Sequence, residues 1–320
     1  MKGEVKGYNK AYAKAQRRSL IKRSIPFYLM LIPGVVLVLL FNYLPLYGYR
    51  IAFQKFIPAK GFFGNQQWRG LYYFNFILNS SDFTNAFRNT LTISFMKLIA
   101  MNVVAILFTL LLNEVQNSKL KRTIQTVVYF PHFMSWIILS YVFIDLLAMD
   151  GMVNRFLGLF GVQPIFFLGS NQYFQGTLVV TDVWKEFGFN SIVFLAAITS
   201  IDPSLYESAV IDGANRFQQF MNIILPSIKT IITLNVILSI TGSLSAFEPP
   251  FVITKGGNGT ATYFIIMDRI AHTSQKVGLA SAMAVFLLCI IFVVTILQKL
   301  FFKYVFRNAG TDSKTGGDVL

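Results

Sequence analysis

Charge is scarce in this chain. Only 13% of its 320 residues are Asp, Glu, Lys or Arg, where a soluble globular domain carries about 25%. That is too little polar surface for a water-soluble body of this size. Cysteine is scarcer still: Cys289 stands alone inside an apolar run, so the chain has no internal disulfide framework and no thiolate cluster for zinc. Two histidines do not make a metal site either. No G-x-x-x-x-G-K-[ST] occurs, and the glycine cluster Gly256-Gly257-Asn258-Gly259 is not followed by Lys-Ser or Lys-Thr, so no phosphate-cradling loop for ATP is present. The carboxylates are scattered and no H-E-x-x-H appears, which leaves a membrane enzyme without the convergent groups it needs.

What is abundant is apolar. Hydrophobic residues make up 54% of the chain, 33 of them Phe. A bilayer core is crossed by about 20 mostly apolar residues, and six such runs are found: Ile25 to Leu46, about Phe87 to Leu112, Thr123 to Ala148, Phe174 to Thr199, Ile228 to Phe247 and Leu279 to Phe302. The expected fold is all-α, a polytopic membrane bundle of six transmembrane helices. The first run follows a long basic leader, exceeds a signal-peptide core and has no A-x-A site after it, so it reads as a retained signal anchor. Pro26, Pro33 and Pro45 are tolerated there because bundle neighbours satisfy freed carbonyls.

The net charge is +14, and its position gives orientation. With the N-terminus inside, Lys and Arg are in excess on the inner flanks, among them Lys119, Lys121 and Arg122 between spans two and three. Both termini are then cytoplasmic. The basic excess is a topology signal and an attraction to anionic lipid. No stacking platform or groove-reading motif accompanies it, so no nucleic-acid partner is expected. Residues 1–23 form a basic cytoplasmic segment, in which Tyr8 to Ile21 is either an interfacial helix or a loose basic tail. Residues 24–307 form the membrane domain, and 308–320 a cytoplasmic tail expected to be disordered.

The loop between spans four and five, about 200–227, is long and patterned. Pro203 and Ser204 suit a helix start. Tyr206, Val210, Gly213 and Phe217 recur at helical spacing, Gly213 permits a sharp bend, and Pro226 marks the return towards the membrane. A short amphipathic helix at the cytoplasmic face is expected. The residues Glu207-Ser208-Ala209, then Gly213, then Ile223-Ile224-Leu225-Pro226 resemble the signature loop of ABC importer permeases. Ser208 stands where that signature usually has alanine, a small-for-small change. Leu205-Tyr206-Glu207 and Ile211-Asp212-Gly213-Ala214 resemble the carbohydrate, maltose-permease-like branch, in its polysaccharide-importer subgroup. Asn89-Thr90-Leu91 and Leu111-Leu112-Asn113-Glu114 are similar to the same family.

The resemblance implies a permease subunit that forms the path for an oligosaccharide in the bacterial plasma membrane. Its 204–226 loop, with Glu207, Ser208, Ala209, Asp212, Gly213, Ala214, Leu225 and Pro226, would be the coupling helix that docks on an ATPase. The implied partners are a second permease subunit, a cytoplasmic ATPase dimer that binds the ATP and Mg, and an extracellular sugar-binding protein. No cofactor is expected on this chain.

Ionisable residues at membrane depth face a bundle interior or a path. Lys185 and Glu186 lie mid-span in span four and Lys97 in span two. Adjacent positions do not face each other on a helix, so Lys185 and Glu186 are each expected to need a partner elsewhere, and Lys97 a structural pair. Asn190 shares a face with Glu186. Asn235, Ser239 and Ser243 make a polar stripe in span five, continued by Glu248. With Trp184, Phe187 and Tyr263 these offer the amides, hydroxyls, carboxylates and rings that a sugar site uses. Helix–helix hydrogen bonding explains the same stripe equally well. His132 after Pro131 reads as a packed or path-lining imidazole. The competing class is an ion-coupled secondary transporter or channel, for which the inverted repeat is missing.

Overall fold

The computed structural model describes residues 21, 23–170, 172–244, 248–256 and 260–309. The expectations placed on residues 1–20, on the end of span five at Phe247 and on the tail beyond 309 lie outside the described residues. The chain divides into two units, Met1–Tyr72 and Tyr73–Leu320.

In the first unit, α1 (Arg23–Phe53) is an apolar helix of 31 residues. It widens to a π turn at Leu39–Tyr43 and tightens to a 3-10 turn at Leu44–Phe53. Pro45, which has no N–H, sits at the start of the tightened stretch, where a missing donor costs least. A two-stranded antiparallel ribbon follows, β1 (Gln54–Lys55) with β2 (Gln67–Trp68). Buried Gln66 staples the connection: its amide nitrogen donates to the carbonyls of Ile57 and Gly61 at 3.2 and 3.0 Å, and its oxygen accepts from Ile57 N–H at 3.0 Å.

The boundary falls at the start of α2 (Tyr72–Leu78), and the second unit is built around α3 (Ser81–Asn113) and α7 (Phe174–Thr199), which pack along each other. Thr109 shows how close they come: its hydroxyl reaches the carbonyl of Ala105 at 2.7 Å on its own helix and that of Ser191 at 3.3 Å on α7. At the other end, Asn89 donates to Ala261 O at 2.9 Å and accepts from Gln175, while Thr90 Oγ1 accepts from Tyr263 N–H at 2.9 Å. The two polar residues of Asn89-Thr90-Leu91 thus tie α3 to α7 and to the turn before α12 (Tyr263–Asp268).

Span three is not one helix. The expected continuous run from Thr123 to Ala148 is corrected to α4 (Ser118–Tyr129), a 3-10 turn at Phe130–Phe133 and α5 (Trp136–Leu146), with a bend of 100° between the arms. The cause is local. Pro131 cannot donate into an α-helical ladder, Met134 and Ser135 are extended, and the Ser135 hydroxyl caps a new helix by accepting from Ile137 N–H at 3.2 Å. The short α6 (Met152–Gly158) follows, with buried Asn154 tying its loop to Ala148 and Ile165.

After α7 the chain turns by 69° into α8 (Pro203–Ile211). The next helix starts at α9 (Arg216–Gln219), passes through a π turn at Phe220–Ile224 and continues as α10 (Leu225–Leu244). The return towards the membrane is therefore set by the Asn215 capping box, and not by Pro226, which the preceding π turn absorbs within the helix. Helices α11 (Glu248–Thr254) and α13 (Val277–Ala309) complete the unit. Among the described residues, four helices are long and apolar enough to cross a membrane, and up to six spans result if each bent pair counts as one.

Candidate functional site

Two regions gather the polar residues singled out above. The first is a cavity of about 350 Å³ lined by Lys97, Leu98 and Met101 of α3, Trp136 of α5, Asp182, Glu186 and Asn190 of α7, Ser239, Gly242 and Ser243 of α10, and Pro249 of α11. Its size is at the lower end for small-molecule sites. Lys97 forms an ion pair with Asp182 across α3 and α7, the structural pair expected for Lys97.

Lys185 and Glu186 each have the expected partner elsewhere, His132, and the correction concerns only the expectation that they do not meet. They pair with each other, Lys185 Nζ to Glu186 Oε1 at 2.7 Å, because the long lysine stem folds back where a shorter side chain would point away. They also share His132: Lys185 Nζ donates to its carbonyl at 2.9 Å, and its Nδ1 lies 2.6 Å from Glu186 Oε2. The imidazole stacks on Phe189 with centroids 3.9 Å apart. Lys185 also lies 5.5 Å from the centroid of the Trp136 ring, a cation–π contact. Each charge in this apolar setting is thereby neutralised or hydrogen-bonded.

Asn190 donates back to Glu186 O at 2.9 Å and Ser239 to Asn235 Oδ1 at 2.9 Å, so part of the polar stripe is satisfied within its own helix. The Ser243 hydroxyl is buried at the cavity wall without a partner among the described residues, a site for a ligand oxygen or water. Trp184 is not brought to this cavity. It meets Phe143 edge-on at 5.6 Å and lines a separate apolar groove with Leu139, Val180 and Thr181. Phe187 packs edge-on against Phe108. Tyr263 is wholly buried, with its hydroxyl donating to Met283 O at 2.5 Å. Glu248 opens α11, and its side chain lies outside the described residues. The aromatic that does face the cavity is Trp136, which sequence reasoning missed. The available signal was Ser135 after Pro131, a helix restart that puts the next residue at a new N-terminus.

The second region is α8 and its flanks. Asp202 caps α8 by accepting from Ser204 N–H at 2.9 Å, and this hydrogen bond holds its carboxyl below the usual range. Pro203 takes the first helical position. The helix ends in a Schellman motif: Gly213 N–H donates to Val210 O at 3.1 Å and Ala214 N–H to Ala209 O at 2.9 Å, with Gly213 in the left-handed region at φ +76°. The helix stops there, so the periodicity read through Phe217 spans two helices. Ser208 donates to Ser204 O at 2.8 Å, and Asp212 is the last residue before the turn.

The anchor of α8 is Tyr206, which packs on a buried cluster of Ala105, Phe194, Ile198, Ile224 and Ile228. Burial, with the Glu114 charge adding, raises its phenol above the usual range. Glu114 in turn meets Arg216 at 3.3 Å on the surface. A hollow of about 1190 Å³ lies between α8, α9 and the end of α3, lined by Glu207, Val210, Ile211 and Ala214 among others. Ile211 at the end of α8 and Phe217 on α9 are 86% and 70% exposed. Leu225 and Pro226 lie beyond it, at the start of α10.

Known proteins share this architecture. The model of the family described as binding-protein-dependent transport system inner membrane component matches residues 101–307. The polygalacturonan/rhamnogalacturonan transport system permease protein YteP of Bacillus subtilis (strain 168) is 37% identical over 268 residues, covering 82% of this chain and 83% of that protein. The trehalose/maltose transport system permease protein MalF of Thermococcus litoralis is 29% identical over 85% of this chain and 92% of its own length. Among solved structures, a bacterial ABC transporter involved in the import of the acidic polysaccharide alginate matches with a TM-score of 0.80 and 30% identity, over 90% of this chain and 98% of that one. The same similarity, TM-score 0.80, holds for a bacterial alginate ABC transporter in complex with an alginate pentasaccharide-bound periplasmic protein.

Proposed function

The chain belongs to the binding-protein-dependent transport system inner membrane components, and on that footing we propose that it carries an oligosaccharide through its central cavity and is driven through α8 by an ATPase on another chain. It is a multi-pass membrane permease of a sugar importer, a transport subunit and not an enzyme. The substrate is an oligosaccharide, in keeping with the sugars named for YteP, MalF and the alginate importer. A sugar-binding protein delivers it from outside. A second permease subunit completes the path, and a cytoplasmic ATPase dimer holds the ATP and Mg. Both termini face the cytoplasm of a bacterial cell.

The carrying observation is the build of α8. It is capped at both ends and pinned by Tyr206 to a core shared by α3, α7 and α10, yet its neighbourhood leaves Ile211 and Phe217 in the open. A rigid helix with an anchored root and a bare apolar tip is a lever with a vacant docking face, and packed units shift as wholes. Glu207, beside the hollow, offers a carboxylate to a cation on the ATPase. In the cavity, hydroxyls and amides from Ser239, Ser243 and Asn190 and the ring of Trp136 supply the hydrogen bonding and stacking a sugar demands.

The test is reconstitution with the neighbouring importer genes in liposomes and uptake of labelled oligosaccharide. ATP-dependent uptake that Glu207→Ala weakens and Gly213→Pro uncouples is the expected result. Uptake that follows an ion gradient with no ATPase present, and is indifferent to both substitutions, would assign the chain to secondary transport instead.

A further inference from the structure

One ammonium holds both arms of the break in span three. Lys185 Nζ donates to the carbonyl of His132, two residues before the extended pair Met134 and Ser135, and lies against the ring of Trp136, the residue directly after it. Its counter-ion is Glu186, whose other oxygen meets Nδ1 of the same His132. Lys185, Glu186 and His132 differ in access. Lys185 is 6% exposed, while Glu186 and His132 are 21% and 29% exposed. Glu186 and Trp136 line the cavity. A ligand in the cavity therefore reaches the carboxylate and the indole and not the ammonium beneath them.

The arms are also fastened unequally to α7. The arm before the break is fixed to α7, because Gly188 lets the backbone of Val128 approach so closely that a Cβ at 188 would clash with the Val128 carbonyl oxygen. The arm after the break, α5, packs chiefly on α11, meeting α7 more lightly through Trp136 on Phe174 and Leu178 and through Phe143 on Trp184, and Pro249 of α11 closes part of the cavity wall. A swing at Met134–Ser135 would carry Trp136 and α11 together, changing two walls of the cavity while α4 stays on α7. Hinges are a few element-terminal residues that absorb such changes.

We propose that Glu186 is a latch between cavity occupancy and this hinge. Its carboxylate fixes His132 and Lys185, and Lys185 fixes Trp136. A sugar hydroxyl donating to Glu186, with the sugar ring on Trp136, competes for both contacts and frees α5 to swing with α11. Glu186 and Lys185 are positioning residues for transport in this account, acting through His132 and Trp136. It rests on the reading of the cavity as a sugar path.

The test is a distance across the hinge in the complete importer, held in lipid nanodiscs. Spin labels are placed at Val127→Cys and Tyr141→Cys, both exposed positions, in a Cys289→Ser background. Wild type is expected to show one separation when sugar-free and a second with the sugar-loaded binding protein. Glu186→Gln is expected to populate the second separation without sugar, shifting the ratio about tenfold, on the scale of one charge-assisted hydrogen bond. The sugar-stimulated to basal ATPase ratio should fall with it, and Glu186→Asp should restore part of both. His132→Phe keeps the stack on Phe189 but removes Nδ1, and must shift the same distance. If both variants keep the wild-type sugar-free separation, and Glu186→Gln only raises the half-saturating sugar concentration, Glu186 is a sugar contact and the latch is wrong. The sugar-free distance needs no substrate, so it is independent of the importer reading, whose own failure appears as wild type without ATP-driven uptake.

Discussion

Lys97 on α3 and Asp182 on α7 form an ion pair at the wall of the central cavity, with Asp182 almost wholly enclosed and Lys97 turned towards the open space. The pair fastens together the two helices that pack most extensively in the second unit. Among the described residues no other cation forms an ion pair with this carboxylate, so loss of Lys97 leaves it buried without its partner.

Lys97→Met is therefore expected to destabilise the purified protein by about 3–5 kcal/mol, the cost of removing one partner of a buried pair. The double variant Lys97→Met/Asp182→Leu should recover most of that loss. Thermal unfolding in detergent checks both. A single variant as stable as the double one would show that Asp182 is solvated or neutral and that the pair does not hold the helices.

Gly188 makes the opposite kind of prediction, since its importance lies in what is missing. Gly188→Ala puts a methyl group into the Val128 carbonyl, and overpacking of this sort costs about 1–3 kcal/mol. Gly176→Ala is the control on the same helix: nothing lies within 4 Å of its Cβ, so the substitution gains about 0.5–1 kcal/mol of helix stability. Unfolding midpoints moving in opposite directions for the two alanines would establish the close approach of α4 and α7.

The membrane character and most span positions were legible because a long apolar run has few alternative readings, and Phe174 to Thr199 coincides with α7. The break in span three was not. Pro131 and Ser135 sit in a stretch that stays apolar on both sides, so a hydropathy reading passes straight over them. The Lys185–Glu186 pair was hidden for a different reason. Helical geometry separates adjacent Cβ atoms, and only the length of the lysine side chain undoes that separation. The end of α8 was half legible: Gly213 announced a bend, but the apolar periodicity continued through Phe217 into α9 and made two helices look like one. Which aromatic faces the cavity depended on the 100° bend at the break, so Trp136 could not be chosen over Trp184 before the bend was known.

The exposed end of α8 supports the last prediction. Gly213 has φ +76° with open space where a Cβ would project, so Gly213→Ala meets no clash and suffers only backbone strain, about 1–2 kcal/mol. Gly213→Asn should be milder, because asparagine tolerates the left-handed region. Ile211→Asp and Phe217→Asp change no buried contact, since both side chains stand in solvent. The glycine variants should therefore lower sugar-stimulated ATPase activity in the order Ala below Asn below wild type. The aspartate variants should leave the unfolding midpoint unchanged while the ATPase no longer copurifies with the permease. Copurification at wild-type levels with both aspartates in place would mean that the bare residues of α8 and α9 are not where the ATPase docks, whatever role the helices keep in packing.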